Sequence, residues 1–233
     1  MYQFQSLLDA GAVVAAMSDV NDGDCGCDGI DTGVRSDFLN QAGVPPEDLF
    51  TLHQVHGCHI RVVDGKQMGQ GAHSVDEVLG DGDGLITIAT GIPLGVTVAD
   101  CVPVLLFDPT TRAVAALHAG RDGTTAGIAL RGLNLLVSEF GVNPADVHGV
   151  IGPSAGPCCY EVSEEIRSHC VSKGVIARVN HLDLWASNYM QLMDGGVKSE
   201  NIEVSERCTI CSSVFFSYRR QQSACRNIAV IMA

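Results

Sequence analysis

Residues 95–120, GVTVADCVPVLLFDPTTRAVAALHAG, constrain the fold of this chain more than any other stretch. Residues 95–99 read as a short buried strand, too apolar to alternate and too short for a helix, which delivers Asp100 and Cys101 at its end. Residues 104–107 read as a second strand, Asp108-Pro109 turns the chain, and residues 113–117 form a third that ends at His118-Ala119-Gly120. Neighbouring strands then hold the Cys101 thiolate and the His118 imidazole near each other at one end of a sheet.

The rest of the chain predicts a mixture of strands and helices. Strands are expected at residues 11–17, 50–53, 59–63 and 85–89, with 50–53 and 59–63 paired around the turn Val55-His56-Gly57. Residues 18–32 and 65–82 read as polar loops, and residues 37–41 as a short helix stopped by Gly43 and Pro45-Pro46. After Thr125 the period changes: Ala129, Leu133, Leu136, Val137 and Phe140 share one helical face, with Thr125 as N-cap and Gly141 as stop. A strand at 147–151, a helix at 163–171, a helix capped by Asp183, and strands at 202–205, 214–218 and 228–232 complete the chain. Without a regular βαβ repeat, this order predicts an α+β fold with a mixed sheet core and packed helices.

At 233 residues, with 46% hydrophobic and 18% charged side chains, the chain is expected to form one domain over residues 1–233 and to bury roughly 70–75% of its unfolded surface. Its formal charge of −13 and its scattered 14 Lys and Arg argue against nucleic-acid or acidic-membrane partners. The first 18 residues lack a basic leader region and carry Asp9 inside their apolar stretch, so the expectation is a soluble, cytoplasmic protein. Ten cysteines in such a setting read as thiols or metal ligands rather than disulfides. Cys25-Gly-Cys27 and Cys208-Thr-Ile-Cys211 have the look of zinc half-sites that could meet around one metal; the alternative is that they are reduced packing cysteines. Cys58, Cys170 and Cys225 read as small apolar packing.

His56, Cys101 and His118 each sit at or beside a strand end, flanked by small residues or turn formers. Two imidazoles and one thiolate make a catalytic zinc pattern that leaves a fourth position open for water. A metal-free Cys/His nucleophile pair and purely structural roles remain open on residue chemistry alone.

Eight segments, taken in order, resemble the motifs of the YfiH-like family, also called the multicopper polyphenol oxidase or laccase-domain family. They are His53-Gln54-Val55-His56-Gly57, Asp83-Gly84-Leu85-Ile86-Thr87, Ala99-Asp100-Cys101-Val102-Pro103-Val104, His118-Ala119-Gly120, Ile151-Gly152-Pro153-Ser154, Cys159-Tyr160-Glu161-Val162, Leu182-Asp183-Leu184-Trp185-Ala186 and Phe215-Phe216-Ser217-Tyr218-Arg219-Arg220. The resemblance runs from about residue 10 to the C-terminus and implies the YfiH-like fold. It also implies that His56, Cys101 and His118 are metal ligands. The activity implied is zinc-dependent: phosphorolysis of adenosine, inosine, guanosine or methylthioadenosine, together with deamination of adenosine. The partners are then a purine nucleoside and phosphate, with the protein a monomer or a homodimer.

Two alternatives accompany that reading: a copper-dependent (Cu2+) polyphenol oxidase, and a drifted metal-binding member without purine turnover. The donor set favours Zn2+ over a three-copper cluster, which needs many more imidazoles than the chain's eight His readily supply. Arg219 and Arg220 are the expected phosphate cations and His53 a cavity or support residue, with Asp83 and Asp100 in supporting roles and Cys159 as readily a core residue. The chain departs from the family at His118-Ala119-Gly120-Arg121-Asp122-Gly123, where Asp122 takes the place of an expected Arg, and at Met17-Ser18-Asp19-Val20-Asn21, which lacks the usual Ser-Thr-Arg. An acid beside a phosphate site repels the anion, so deamination or hydrolysis is expected to tolerate these changes better than phosphorolysis.

Overall fold

The apolar runs of the sequence are continuous because their strands are covered on both faces. The computed structural model describes residues 1–26, 33–64 and 79–233. In chain order it contains β1 (Tyr2–Gln3), α1 (Gln5–Asp9), β2 (Val14–Met17), α2 (Val34–Ala42), β3 (Ile60–Val62), β4 (Gly84–Thr87), β5 (Leu94–Val98), β6 (Val102–Phe107), β7 (Val114–Ala119), α3 (Arg121–Thr125) and α4 (Ile128–Phe140). There follow β8 (His148–Ile151), α5 (Glu164–Ser172), β9 (Ile176–Arg178), β10 (His181–Asp183), α6 (Leu184–Asp194), β11 (Ile202–Val204), α7 (Tyr218–Gln221) and β12 (Asn227–Met232). The fold is mixed α+β, as the pattern of elements implies.

Two sheets carry the architecture. One has the order β11-β8-β6-β7-β4-β3 and is antiparallel except for the parallel pairs at its edges; the other has the order β1-β2-β12-β5 and is antiparallel throughout. Successive side chains on a strand point to opposite faces, so each central strand feeds two cores. On β6, Leu105 and Phe107 join β5 and β12 residues such as Val96, Val98, Ala229 and Ile231 between the sheets. Val102, Val104 and Leu106 instead pack with Leu133 and Leu136 of α4 and Leu184 and Leu192 of α6. The outer face of β12, at Ile228, Val230 and Met232, is covered by Phe38 and Leu39 of α2.

Several expectations change once long-range contacts are formed. Residues 50–53 do not pair with 59–63: Phe50 bridges to Leu94, His53 to Asp81, and β3 runs parallel to β4. Residues 214–218 form turns leading into α7, because the Phe216 backbone bonds the Asn227 side chain rather than a neighbouring strand. Thr125 is the last residue of α3 and not the cap of α4; Gly127, in the left-handed region, starts α4 and Gly141 ends it. The loop expectations over 27–32 and 65–78 lie outside the described residues. Among those described, no helix is long and apolar enough to cross a membrane.

Leu117 of β7 is where helix and sheet close. A Cβ built on Gly132 of α4 would lie 2.6 Å from Leu117 Cδ1, and one on Gly84 of β4 would lie 2.7 Å from Leu117 Cδ2. A Gly-to-Ala change inside an exposed helix stabilises by about 1 kcal/mol. Gly132→Ala is expected to destabilise instead, by roughly 1–3 kcal/mol through overpacking. A lower urea midpoint at unchanged m shows this; a raised midpoint contradicts the packing described.

Candidate metal centre and its cavity

Strand register brings the three candidate ligands together. In the β6–β7 hairpin Val102 pairs with Ala119 and Pro103 with His118, so Cys101 follows opposite Gly120 at the same end of the sheet. Gly120 leaves the space this needs, since a Cβ there would lie 3.0 Å from Cys101 Sγ. β5, which delivers Asp100 and Cys101, belongs to the other sheet, so the cysteine lies where the chain crosses between sheets. His56 arrives on the turn before β3. One ligand atom from each of His56, Cys101 and His118 lies within 4.8 Å of the others, and the two imidazole rings meet edge to face at 4.9 Å.

Asp83, fully buried at the start of β4, organises this cluster. Its carboxylate accepts from the backbone N–H groups of His56 (2.9 Å) and Gly57 (2.7 Å) and pairs with His118 Nδ1 at 2.9 Å. Its own backbone carbonyl accepts from His118 N at 2.7 Å. With Nδ1 held as a donor to Asp83, His118 directs Nε2 at the cluster. The same bonds hold His56 at φ 59°, a left-handed conformation that is costly for a side chain with a Cβ. Gln54 ties this turn to β5: its side-chain amide exchanges two 2.8 Å bonds with the Thr97 backbone.

The electrostatics favour a deprotonated thiol. Burial alone would raise the Cys101 pKa, but the His118 charge and hydrogen bonds from His118 and His56 bring it down to about 6. His118 shows the converse: burial lowers its pKa, and the Cys101 thiolate and the Asp83 hydrogen bond more than reverse this. Asp83 itself is held below the usual carboxylate range by His118 and the two backbone donors, against its burial. A thiolate and two oriented imidazoles form a set that suits a divalent metal.

The cluster opens into a cavity of about 660 Å³. Four arginines line it, Arg35, Arg121, Arg219 and Arg226, as do His53, Tyr160 and Asp122. Arg219 donates to the Glu161 carbonyl and sits 5.3 Å from the Tyr160 ring centroid; its backbone N–H bonds Asp100 Oδ2. Arg226 donates to the Ser223 and Cys225 carbonyls, and Arg35 to the Cys25 carbonyl. Arg121 is instead gripped by both carboxylate oxygens of Asp122.

Among the residues singled out in the sequence, Arg220 is absent from the cavity lining: its guanidinium donates to the carbonyls of Thr209, Ser212 and Phe215 and holds that loop. His53 pairs with Asp81 at 2.8 Å, and the support of the ligand set falls to Asp83. Asp100 orders the wall by accepting from Thr209 Oγ1 at 2.6 Å. Arg35 and Arg226 were not identified from sequence, because an isolated arginine in a helix or loop carries no local signature. Cys25 does not join Cys208 and Cys211: it is buried against α2, whereas Cys208 and Cys211 cluster with Cys158 and Cys159; Cys27 lies outside the described residues.

Gly123 keeps α3 close to the His56 turn, since a Cβ there would lie 2.8 Å from the Gly57 carbonyl oxygen and 3.3 Å from that of His118. Both are backbone atoms, so Gly123→Ala is expected to displace the ligand turn. Divalent-metal affinity should fall by roughly 10-fold, of the order seen when a ligand's support is lost. Competition with a chromophoric chelator measures it, and an unchanged affinity contradicts the packing.

A family model described as multi-copper polyphenol oxidoreductase laccase matches residues 32–233. The purine nucleoside phosphorylase YlmD of Geobacillus stearothermophilus is 35% identical over 193 residues, covering 76% of this chain and 69% of that protein. A purine nucleoside phosphorylase of Corynebacterium glutamicum is 34% identical over 204 residues, covering 84% and 79%. The crystal structure of YlmD from Geobacillus stearothermophilus matches with a TM-score of 0.87 at 31% identity, over 94% of this chain and 90% of that one. That of the Bacillus licheniformis hypothetical protein YfiH matches with a TM-score of 0.79 at 32% identity, over 86% and 79%. The chain therefore belongs to the multi-copper polyphenol oxidoreductase laccase family, the YfiH-like group.

Proposed function

We propose that this protein is a zinc-dependent purine nucleoside phosphorylase whose metal ligands are His56, Cys101 and His118. The observation that carries the reading is the juxtaposition of that donor set with an arginine-lined cavity large enough for a nucleoside and a phosphate. Two imidazoles and one thiolate fit zinc with one position left over. When bound, the metal supplies Lewis-acid polarisation at that position. Of the described histidines only His53, His56 and His118 line the cavity, which is too few imidazoles for a multi-copper cluster.

The chain's own groups then bind and orient. Arg219 and Arg226 donate to carbonyl oxygens, which fix the guanidinium groups without neutralising them, so their charge can hold phosphate. Asp83 keeps His118 in one orientation. His53, its Nδ1 engaged by Asp81, is the cavity imidazole outside the ligand set and can move a proton to a departing base. Tyr160 lines the cavity with its ring against the Arg219 guanidinium, which it helps to position.

Asp122 favours a second activity at the same centre, deamination of adenosine. It withdraws Arg121 from phosphate binding without touching the ligand set. Incubating adenosine with the protein is expected to give adenine and ribose 1-phosphate only when phosphate is added, and inosine with or without it. Cys101→Ala should suppress both products beyond the roughly 10–100-fold that loss of an outer partner brings. Absence of both products from the unaltered protein overturns the reading. Asp122→Asn frees Arg121; an exposed pair of this kind is worth roughly 0.2–1 kcal/mol, so the KM for phosphate should fall about 1.5- to 5-fold. A rise in that KM would count against Arg121 as a phosphate group.

A further inference from the structure

Cys158, Cys159, Cys208 and Cys211 bring their sulfurs within 4.8 Å of one another, and none of the four lines the cavity. Cys159 and Cys211 sulfurs are 3.1 Å apart and those of Cys158 and Cys211 3.4 Å, too far for a disulfide bond of about 2.05 Å. Four thiolates around one zinc at about 2.3 Å stand roughly 3.8 Å apart, close to this spacing. An iron–sulfur cluster, which spreads its cysteines over several metal atoms, needs a wider set.

The backbone is arranged for the same purpose. Cys208-Thr209-Ile210-Cys211 is a C-x-x-C turn, and the Gly156 N–H donates to Cys208 Sγ at 3.3 Å. The Ile210 and Cys211 backbone N–H groups also favour the Cys208 thiolate and hold its pKa below the ordinary thiol value, against its burial. Such donors stabilise a metal-bound thiolate. Cys208 is buried, whereas Cys158 and Cys211 are exposed, which gives a metal an entry path.

We propose that these four cysteines form a second, structural metal site that takes zinc. Binding releases the thiol protons to solvent and leaves a tetrahedral, closed coordination shell. The site joins two loops that build the cavity. The Cys158-Cys159 turn leads into Tyr160, beneath Arg219. The Cys208–Cys211 turn carries Thr209, whose hydroxyl bonds Asp100, the neighbour of Cys101. Zinc here would fasten that wall, whatever substrate the cavity accepts.

The test uses the Cys101→Ala protein, in which all four cysteines remain while a ligand of the first centre is gone. It should retain one zinc per chain, and cobalt exchanged into it should give the intense visible bands and thiolate charge-transfer absorption of a tetrahedral four-sulfur site. Adding Cys208→Ser and Cys211→Ser should remove that metal and those bands. Where the triple variant does not fold, the cobalt spectrum of the Cys101→Ala protein decides alone. The proposal is overturned if that protein binds no metal, if its cobalt spectrum lacks thiolate charge transfer, if the metal survives both serines, or if mass analysis of reductant-free protein shows a Cys159–Cys211 disulfide.

Discussion

The buried carboxylate of Asp83 is the interaction on which the site depends. It satisfies two backbone donors of the His56 turn and orients the His118 ring, while its own carbonyl continues the β4–β7 ladder to the end of the sheet where the candidate site lies. A buried anion without partners would be strongly unfavourable. Here three N–H groups compensate it, and the hydrogen bonds that do so also set two of the three candidate ligand positions. Stability of the strand end and geometry of the ligand set therefore rest on the same bonds.

The third candidate ligand depends on the sheets themselves. Cys101 stands where the chain leaves β5 in one sheet and enters β6 in the other, and Asp100, at φ 85°, makes that turn. The strained residue is held by Thr209 and by the Arg219 backbone. Loops remote in sequence thus converge on the residue before the thiolate, and the cavity wall inherits their order.

Much of this was legible in the sequence. The strands around Cys101 and His118 could be read because each is a continuous apolar run ended by a polar residue and a turn, and Gly43 and Gly141 stop helices where left-handed backbone is needed. His56, Cys101 and His118 were nameable from residue chemistry and motif order. What remained hidden is long-range. Nothing local to residues 50–53 reveals that Phe50 bridges to Leu94 rather than folding into a hairpin. Nothing near Cys208 reveals Cys158 and Cys159, and Arg35 and Arg226 reach the cavity only through tertiary packing. Arg220 showed the reverse: its motif position suggested a phosphate cation, and its guanidinium is instead taken up by the Thr209, Ser212 and Phe215 carbonyls.

The central claim is that one carboxylate holds two proposed metal ligands in place, and Asp83→Asn tests it most directly. The substitution keeps size and removes the charge that His118 and the two backbone donors share. Zinc affinity of the folded protein, measured by chelator competition, should fall by about 10- to 100-fold. A folded Asp83→Asn protein that binds zinc as tightly as the unaltered one would contradict the account.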